Sequence, residues 1–210
     1  MDTRYAAEPP LGAMVRARES AAGDPGLVSS GRGDAGGRSY GLYQFKSRRD
    51  EGAGRSVVED FIDKSGYGAW FEGLEVNSGP FVARFQALAR SDPNFVAAQH
   101  DYARRQYYDP AVARLARAGV DVADRGRGVQ ELIFSTANQY GAAGAARVVQ
   151  RALEGRAPER MSDAELIAAI ADYKHRTTPS WFKSSPTQWK GIRNRFAAER
   201  EEALRMTREG

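Results

Sequence analysis

Glu19 and Asp34 are the two residues near the start of the chain whose types and spacing could do acid–base chemistry. Glu19 stands where a helical pattern gives way to glycine-rich sequence, and Asp34 follows fifteen positions later inside that sequence, in Gly-Arg-Gly-Asp. Taken alone, a glutamate at such a place is either a solvated residue of a last helical turn or a proton donor. A partly apolar wall beside it would raise its pKa and make it the donor. Asp34 has a similar pair of readings, an Asx turn in a flexible loop or a carboxylate facing Glu19 across a cleft. Splitting a glycosidic bond takes such a pair: one carboxylic acid protonates the leaving oxygen, and a second carboxylate works from across the sugar. Ser39, Tyr40, Tyr43 and Gln44 come next in the chain. A serine hydroxyl can position a water, tyrosine rings can stack on sugar faces or fill a core, and a glutamine amide can bond an N-acetyl group or serve as a buried strut.

These residues need a frame. Residues 1–10 read as an extended lead-in, because Pro9-Pro10 blocks a helix. Residues 11–21 read as helical, with Leu11, Met14, Val15 and Arg18 at helical spacing. The stretch 23–37 holds six glycines and a proline, which is turn chemistry. SYGLYQF (39–45) reads as a short strand or as the start of a buried helix. Helical patterns follow over 57–66, over 79–91 with Phe81, Phe85, Leu88 and Ala89 on one face, and over 92–119. Within 92–119, Asp109-Pro110 is expected to break the helix and cap the next. A helix over 127–141, with Val129, Leu132, Ile133, Thr136 and Ala137 on one face, ends at Gly141; another covers 142–155. Ser162 and Glu165 form a capping box before LIAAIADYK. A loop around TTPSWFKSSP precedes a last helix over about 187–207. The expectation is a mainly α protein with a small glycine-rich loop or β-hairpin region near the N-terminus. It is read as a single domain over 11–207, with two lobes.

Bulk properties narrow the chemistry. The 210 residues support one full core. No cysteine is present, which removes disulfides, thiol catalysis and cysteine zinc sites. The only histidines, His100 and His175, lie 75 positions apart and support neither a metal site nor a Ser-His-Asp triad. His100, among helical residues, is read as structural. Trp70, Trp181 and Trp189 are read as core or rim packing. No metal or cofactor is expected. No run approaches the ~20 apolar residues of a membrane span, and no signal peptide is visible at the N-terminus. The net charge is +4, with five lysines and 26 arginines. Such a balance follows from GC-rich coding or from affinity for a polyanion. Nucleic acid is disfavoured, since no helix carries a dense basic stripe and no recognition motif is present. Between 32 and 55, six basic residues stand against three acidic ones.

Several segments resemble known glycan-cleaving families. Glu19-Ser20, followed by Ser39-Tyr40-Gly41-Leu42-Tyr43-Gln44, resembles the catalytic Glu-Ser and downstream Gly-Leu-x-Gln of lytic transglycosylases and goose-type lysozymes. Gly-Arg-Gly-Asp and Gln106-Tyr107-Tyr108-Asp109-Pro110-Ala111-Val112 are similar to segments of family-46 chitosanases. Residues 134–141 (FSTANQYG) resemble a cleft-lining helix end, and Arg195 with Glu199 resembles an Arg-bearing final helix. The long motif at 29–44 resembles a lysozyme-like domain of phage virion proteins and of type VI secretion spike-associated proteins. Asn138 and Tyr140 depart from the Val and His expected there.

The resemblance implies a lysozyme-like fold and cleavage of peptidoglycan glycan strands, with Glu19 as general acid and Asp34 as second carboxylate. It implies a cleft lined by Ser39, Tyr40, Tyr43, Gln44, Asn138, Gln139 and Tyr140. Hydrolysis through an Asp34-activated water, anhydro-ring closure as in lytic transglycosylases, and an inactive structural module all remain open, with hydrolysis favoured. The setting it implies is a virion tail, or delivery to the bacterial periplasm or cell wall, with phage-tail or secretion-spike proteins as partners and no nucleic acid or membrane insertion.

Overall fold

The computed structural model describes residues 11–19, 23–31, 37–49, 52, 54–183 and 185–209; of residues 17–19 and 209 only the backbone is described. Along the chain run α1 (Ala13–Glu19), strands β1 (Ser39–Tyr40) and β2 (Phe45–Lys46), α2 (Val57–Lys64), α3 (Gly79–Ser91), α4 (Pro93–Ala103), α5 (Asp109–Arg117), α6 (Arg127–Ala152), α7 (Asp163–Trp181) and α8 (Trp189–Glu209). The expected lead-in over 1–10 lies outside the described residues. No helix among the described residues is long and apolar enough to cross a membrane.

Short polar side chains start four of these helices, α2, α3, α4 and α7. Ser56 closes a capping box on α2: its hydroxyl accepts from the Glu59 N–H at 3.5 Å, while Glu59 accepts from the Ser56 N–H at 2.7 Å. Ser162 and Glu165 do the same for α7, as the sequence predicts. Asp92 ends α3 and caps α4, with Pro93 at the first position, where its missing N–H costs nothing.

The chain divides into two compact units, Val15–Arg105 and the described residues up to Met14 together with those from Gln106 onward. In the first unit the core is aromatic. Phe45, Phe61, Phe81, Phe85 and Phe95 are buried, and their rings meet each other and Tyr40 and Tyr102 mostly edge to face, with centroids 5.0–5.5 Å apart in the tightest pairs. Such pairs are worth about 0.5–1.5 kcal/mol each beyond their buried area. The α3 face is the expected one: Phe81, Phe85, Leu88 and Ala89 are all buried. SYGLYQF forms a hairpin, with Ser39 opposite Lys46 and Tyr40 opposite Phe45.

In the second unit α6 packs against α5, α7 and α8, and α7 packs against α8. From Gly128 to Ala137 every residue of α6 except Gln130 is buried, so this is a central helix covered all round rather than the one-faced helix expected. Gly141 leaves helical geometry, with φ 69° and ψ 165°, so α6 is two helices joined at a kink, the first ending at Gly141 and the second running on to Ala152, as the sequence predicts.

Two other expectations are corrected. Asp109 does not break and cap: it is the first residue of α5, and the chain reaches it through a wide π-type turn over Arg104–Tyr108. Pro110 has no N–H for the carbonyl four residues back, and a widened turn accommodates that loss. The loop expected around 177–186 is helical as far as Trp181, with Pro179 inside α7. Pro179 leaves the His175 carbonyl without its helical donor, and the Thr178 hydroxyl, 3.0 Å from the Lys174 carbonyl and 3.1 Å from the His175 carbonyl, shares its one proton between them.

Candidate functional site

Glu19 is the last residue of α1, and its side chain lies outside the described residues. Asp34, within 32–36, lies outside them entirely. The frame around both is described. Arg16, one turn before Glu19, has Nη1 3.5 Å from the Tyr43 hydroxyl and 3.5 Å from His100 Nδ1. Tyr43 and His100 themselves meet at 2.6 Å. The last turn of α1 is thereby held to the hairpin turn and to α4. The reading of His100 as structural fits this place.

The loop that carries Asp34 has a narrow neck. Ser29 N–H donates to the Ser39 carbonyl at 2.9 Å, Ser39 N–H donates to Ser29 Oγ at 2.8 Å, and Gly41 N–H donates to the Leu27 carbonyl at 2.7 Å. Val28 pairs with Tyr40 as an added antiparallel edge on β1. At the neck, Gly31 has φ 69°, and a Cβ there would stand 2.9 Å from the Arg38 nitrogen and 3.0 Å from the Gly37 carbonyl carbon. A side chain would force the two sides of the loop apart.

The hairpin turn is as closely fitted. Gly41 has φ 71°, and a Cβ on it would lie 2.1 Å from Gln99 Oε1. Gln99, fully buried, accepts from Leu42 N–H at 2.9 Å and donates to the Pro25 carbonyl at 3.1 Å. It ties the turn to the start of the loop. Gln44, at φ 51°, donates from Nε2 to the Gly41 carbonyl at 2.9 Å. The expected stacking of Tyr40 and Tyr43 finds no open ring face here. Tyr40 is 0% exposed, lies against Phe81 and Phe85, and donates to Asn77 at 3.0 Å; Tyr43 is 2% exposed and stacks on Phe45. Burial pushes the Tyr40 phenol up. Ser39 is buried and enters the clamp through its backbone.

In the second unit, Asn138, Gln139 and Tyr140 form the last turn of α6 before the kink. Asn138 Oδ1, Gln139 Oε1 and the Tyr140 hydroxyl are buried with no hydrogen-bond partner among the described residues. Gln139 belongs to a polar cluster centred on Glu199. Glu199 Oε2 takes Lys174 Nζ at 2.7 Å; Oε1 takes Arg195 Nε at 3.0 Å, Ser135 Oγ at 2.8 Å and Gln139 Nε2 at 2.7 Å. Lys174 and Glu199 are fully buried. Burial alone would raise the Glu199 pKa, but the Lys174 ammonium and the Arg195 guanidinium outweigh it and hold the carboxyl down at about 2. The Lys174 ammonium also lies 4.4 Å from the Phe196 ring centroid.

A third buried group, Glu131, accepts from the N–H groups of Gly12, Ala13 and Met14 at 2.8, 3.2 and 3.1 Å and from Arg127 at 2.6 Å. It caps the start of α1, the helix that ends at Glu19. Gln99, Lys174 and Glu131 escaped the sequence reading. The signal for two of them was present: Gln99 follows Phe95 by four and precedes Tyr102 by three, and Glu131 stands between Gly128 and Ser135 at the same spacing. In each case a polar residue sits on the buried face of its helix.

Residues 11–200 match the family model described as type VI secretion system spike protein VgrG3-like, C-terminal. The type VI secretion system spike protein VgrG3 of Vibrio cholerae serotype O1 is 34% identical over 202 residues, which are 96% of this chain and 19% of that protein. The chain thus spans about a fifth of the length of this curated relative. Among solved structures, a chitosanase from Bacillus subtilis MY002 is similar with a TM-score of 0.60 at 16% identity, over 88% of this chain and 83% of that one. A Gynuella sunshinyii chitosanase in complex with chitotetraose gives 0.61 at 14%, over 92% and 87%. At such identities the likeness is one of fold, the mainly helical lysozyme-like fold with a small hairpin near the N-terminus.

Proposed function

The chain belongs to the family of type VI secretion spike VgrG3-like C-terminal domains, and from that premise we propose that it is a glycoside hydrolase cleaving the glycan strands of peptidoglycan, carried to the bacterial cell wall with a secretion spike. The observation that carries this reading is the anchoring of the last turn of α1. Arg16, Tyr43 and His100 join the helix that ends at Glu19 to the hairpin that follows the Asp34 loop. Helix and loop are thus held on one support.

In this reading Glu19 protonates the glycosidic oxygen as the C–O bond breaks. Asp34 takes a proton from the water that attacks the anomeric carbon, so the sugar attacked leaves with a new reducing end and the other leaves with the free hydroxyl that Glu19 protonated. Ser39 and Gln44 serve the subsites of the first unit, and Asn138, Gln139 and Tyr140 those of the second. Tyr40 and Tyr43 support the hairpin from within. Residues 11–207 work as one catalytic domain. The two carboxylates carry both proton transfers, so the reaction calls for no metal or cofactor.

Glu19→Gln tests the assignment. Loss of a general acid removes about 10²-fold or more in rate. The variant should keep its circular dichroism and melting temperature yet lose lysis of purified sacculi. Retention of more than roughly a tenth of the activity would sink the assignment. Mass spectrometry of the muropeptides released by the unaltered chain decides the chemistry. Reducing ends support hydrolysis, and anhydro ends as the main product would assign the second step to the sugar's own 6-hydroxyl.

A further inference from the structure

Three contacts decide which nitrogen of His100 carries its proton. Nδ1 lies 2.6 Å from the Tyr43 hydroxyl and 3.5 Å from Arg16 Nη1, and the same Nη1 lies 3.5 Å from the Tyr43 oxygen. A guanidinium has donors and no acceptor, so Arg16 can only give. The Tyr43 oxygen accepts from Arg16 and still has its own proton to place; Nδ1, 2.6 Å away, is there to receive it. One arrangement satisfies all three groups. Arg16 donates to Tyr43, Tyr43 donates to Nδ1, and the ring holds its single proton on Nε2. A proton on Nδ1 would point at a group that cannot accept it and would drive the Tyr43 proton out of the contact. In the doubly protonated ring it would also bring a second positive charge to 3.5 Å from the Arg16 guanidinium.

Tyr43 is a fixed post, 2% exposed and stacked on Phe45. Arg16 opens the last turn of α1, and Glu19 ends it three positions later. A helix of seven residues has little of its own to hold that turn. We propose that His100 is a positioning residue for Glu19, effective only as the neutral imidazole with its proton on Nε2, so that acid releases the turn which carries the general acid. A ring that merely filled space would serve equally well charged or neutral. Glu19's role, on which this rests, belongs to the glycan-cleaving reading. Asp101 and Arg104 follow His100 by one and four positions, and Asp60 of α2 is engaged by Tyr102 and Lys64. Their titration and that of Glu19 are separated from the ring's by experiment.

Nitrogen-15 magnetic resonance of the unaltered chain at pH 7.5 reads the tautomer, with His175→Gln identifying the other ring by elimination. The His100 proton should sit on Nε2; a ring protonated on Nδ1 at that pH would overturn the proposal. Sacculus lysis is then followed from pH 8 to pH 4 in the unaltered chain and in His100→Asn, whose amide oxygen offers Tyr43 an acceptor that takes no charge. Unperturbed carboxylates titrate near 4 and an imidazole near 6.5. In the unaltered chain lysis should fall about tenfold or more at a pH above the carboxylate range, because a displacement of about 1 Å at a reacting group costs that much or more. In His100→Asn the fall should retreat into the carboxylate range. A fall at the same pH in both proteins would assign it to a carboxylate, overturning the proposal and leaving the glycan-cleaving reading intact. Should His100→Asn fail to fold, the unaltered chain still decides: the midpoint at which the His100 ring gains its second proton must coincide with the fall in lysis, and a mismatch would overturn the proposal. Absence of lysis at every pH would overturn the glycan-cleaving reading and the positioning role with it.

Discussion

Glu199 keeps its charge out of water because two cations and two neutral donors surround it, and that arrangement makes the fold sensitive to acid. An ordinary glutamate titrates near 4.5, and in the folded chain this one is held at about 2. A depressed carboxyl contributes stability that is present above about 4.5 and is lost as pH falls through the folded value. The separation corresponds to about 3 kcal/mol. Urea midpoints measured from pH 6 down to pH 2 should therefore fall steeply below 4.5. In Glu199→Gln the starting stability should be lower, because Lys174 is left buried without its counter-charge, and the fall below 4.5 should be shallower. Equal slopes in the two proteins would contradict this account. Lys174 shows why the cluster was hard to see in the sequence. It stands 25 positions before Glu199, in another helix, and nothing in LIAAIADYK distinguishes a buried lysine from a solvated one.

At the level of elements, α1 is short, only seven residues, and such a helix is marginal without support from elsewhere. Glu131 supplies that support by accepting from three N–H groups at its start. Glu131→Ala leaves those donors and Arg127 without their acceptor inside the protein. It should cost about 3 kcal/mol or more in unfolding free energy and reduce sacculus lysis with it; urea unfolding alongside turbidity assays checks both. A change under 1 kcal/mol would mean that α1 stands without this cap. Local signals made much of the element list readable: the Ser56 and Ser162 capping boxes, Pro93 behind Asp92, and the four-residue apolar face of α3. The misreadings came where a distant or neighbouring group repaired a local fault. Pro179 reads as a helix stop because its lost hydrogen bond is visible and the rescue by Thr178 is not. Asp109-Pro110 reads as a cap, yet a widened turn absorbs the proline. Of the candidate site, the β-prone alternation of SYGLYQF pointed to the strand pairing but left a buried helix open, whereas the interior placement of Tyr40 and Tyr43 depends on rings from α3 and α4 and on β2.

Across the whole molecule the formal charge is +4 and the isoelectric point about 9.4. The six-to-three excess of basic residues over 32–55 overstates what a ligand meets, since Arg49 pairs with Glu59 at 2.8 Å and Arg55 pairs with Asp63, both on α2. The global charge still favours a glycan bearing carboxylates over the polycation chitosan. Sacculus binding should weaken as salt rises, because exposed ionic contacts are screened over about 10 Å at 0.1 M. Arg48→Glu should weaken it further. Arg49→Glu should do so as well, while also setting a second carboxylate beside Glu59. Pelleting assays with sacculi across a salt series check this, and faster cleavage of chitosan than of peptidoglycan at moderate salt would refute the charge argument. The neck at Gly31 and Gly37 bears on how such a protein can diversify. Among the described residues, the bonds that close it join 27–29 to 39–41, on either side of the five positions between the two glycines. Asp34 is one of those five, so under the proposed mechanism a lineage is free to vary only the residues around it: an exchange that dropped Asp34 would keep the neck and lose the second carboxylate.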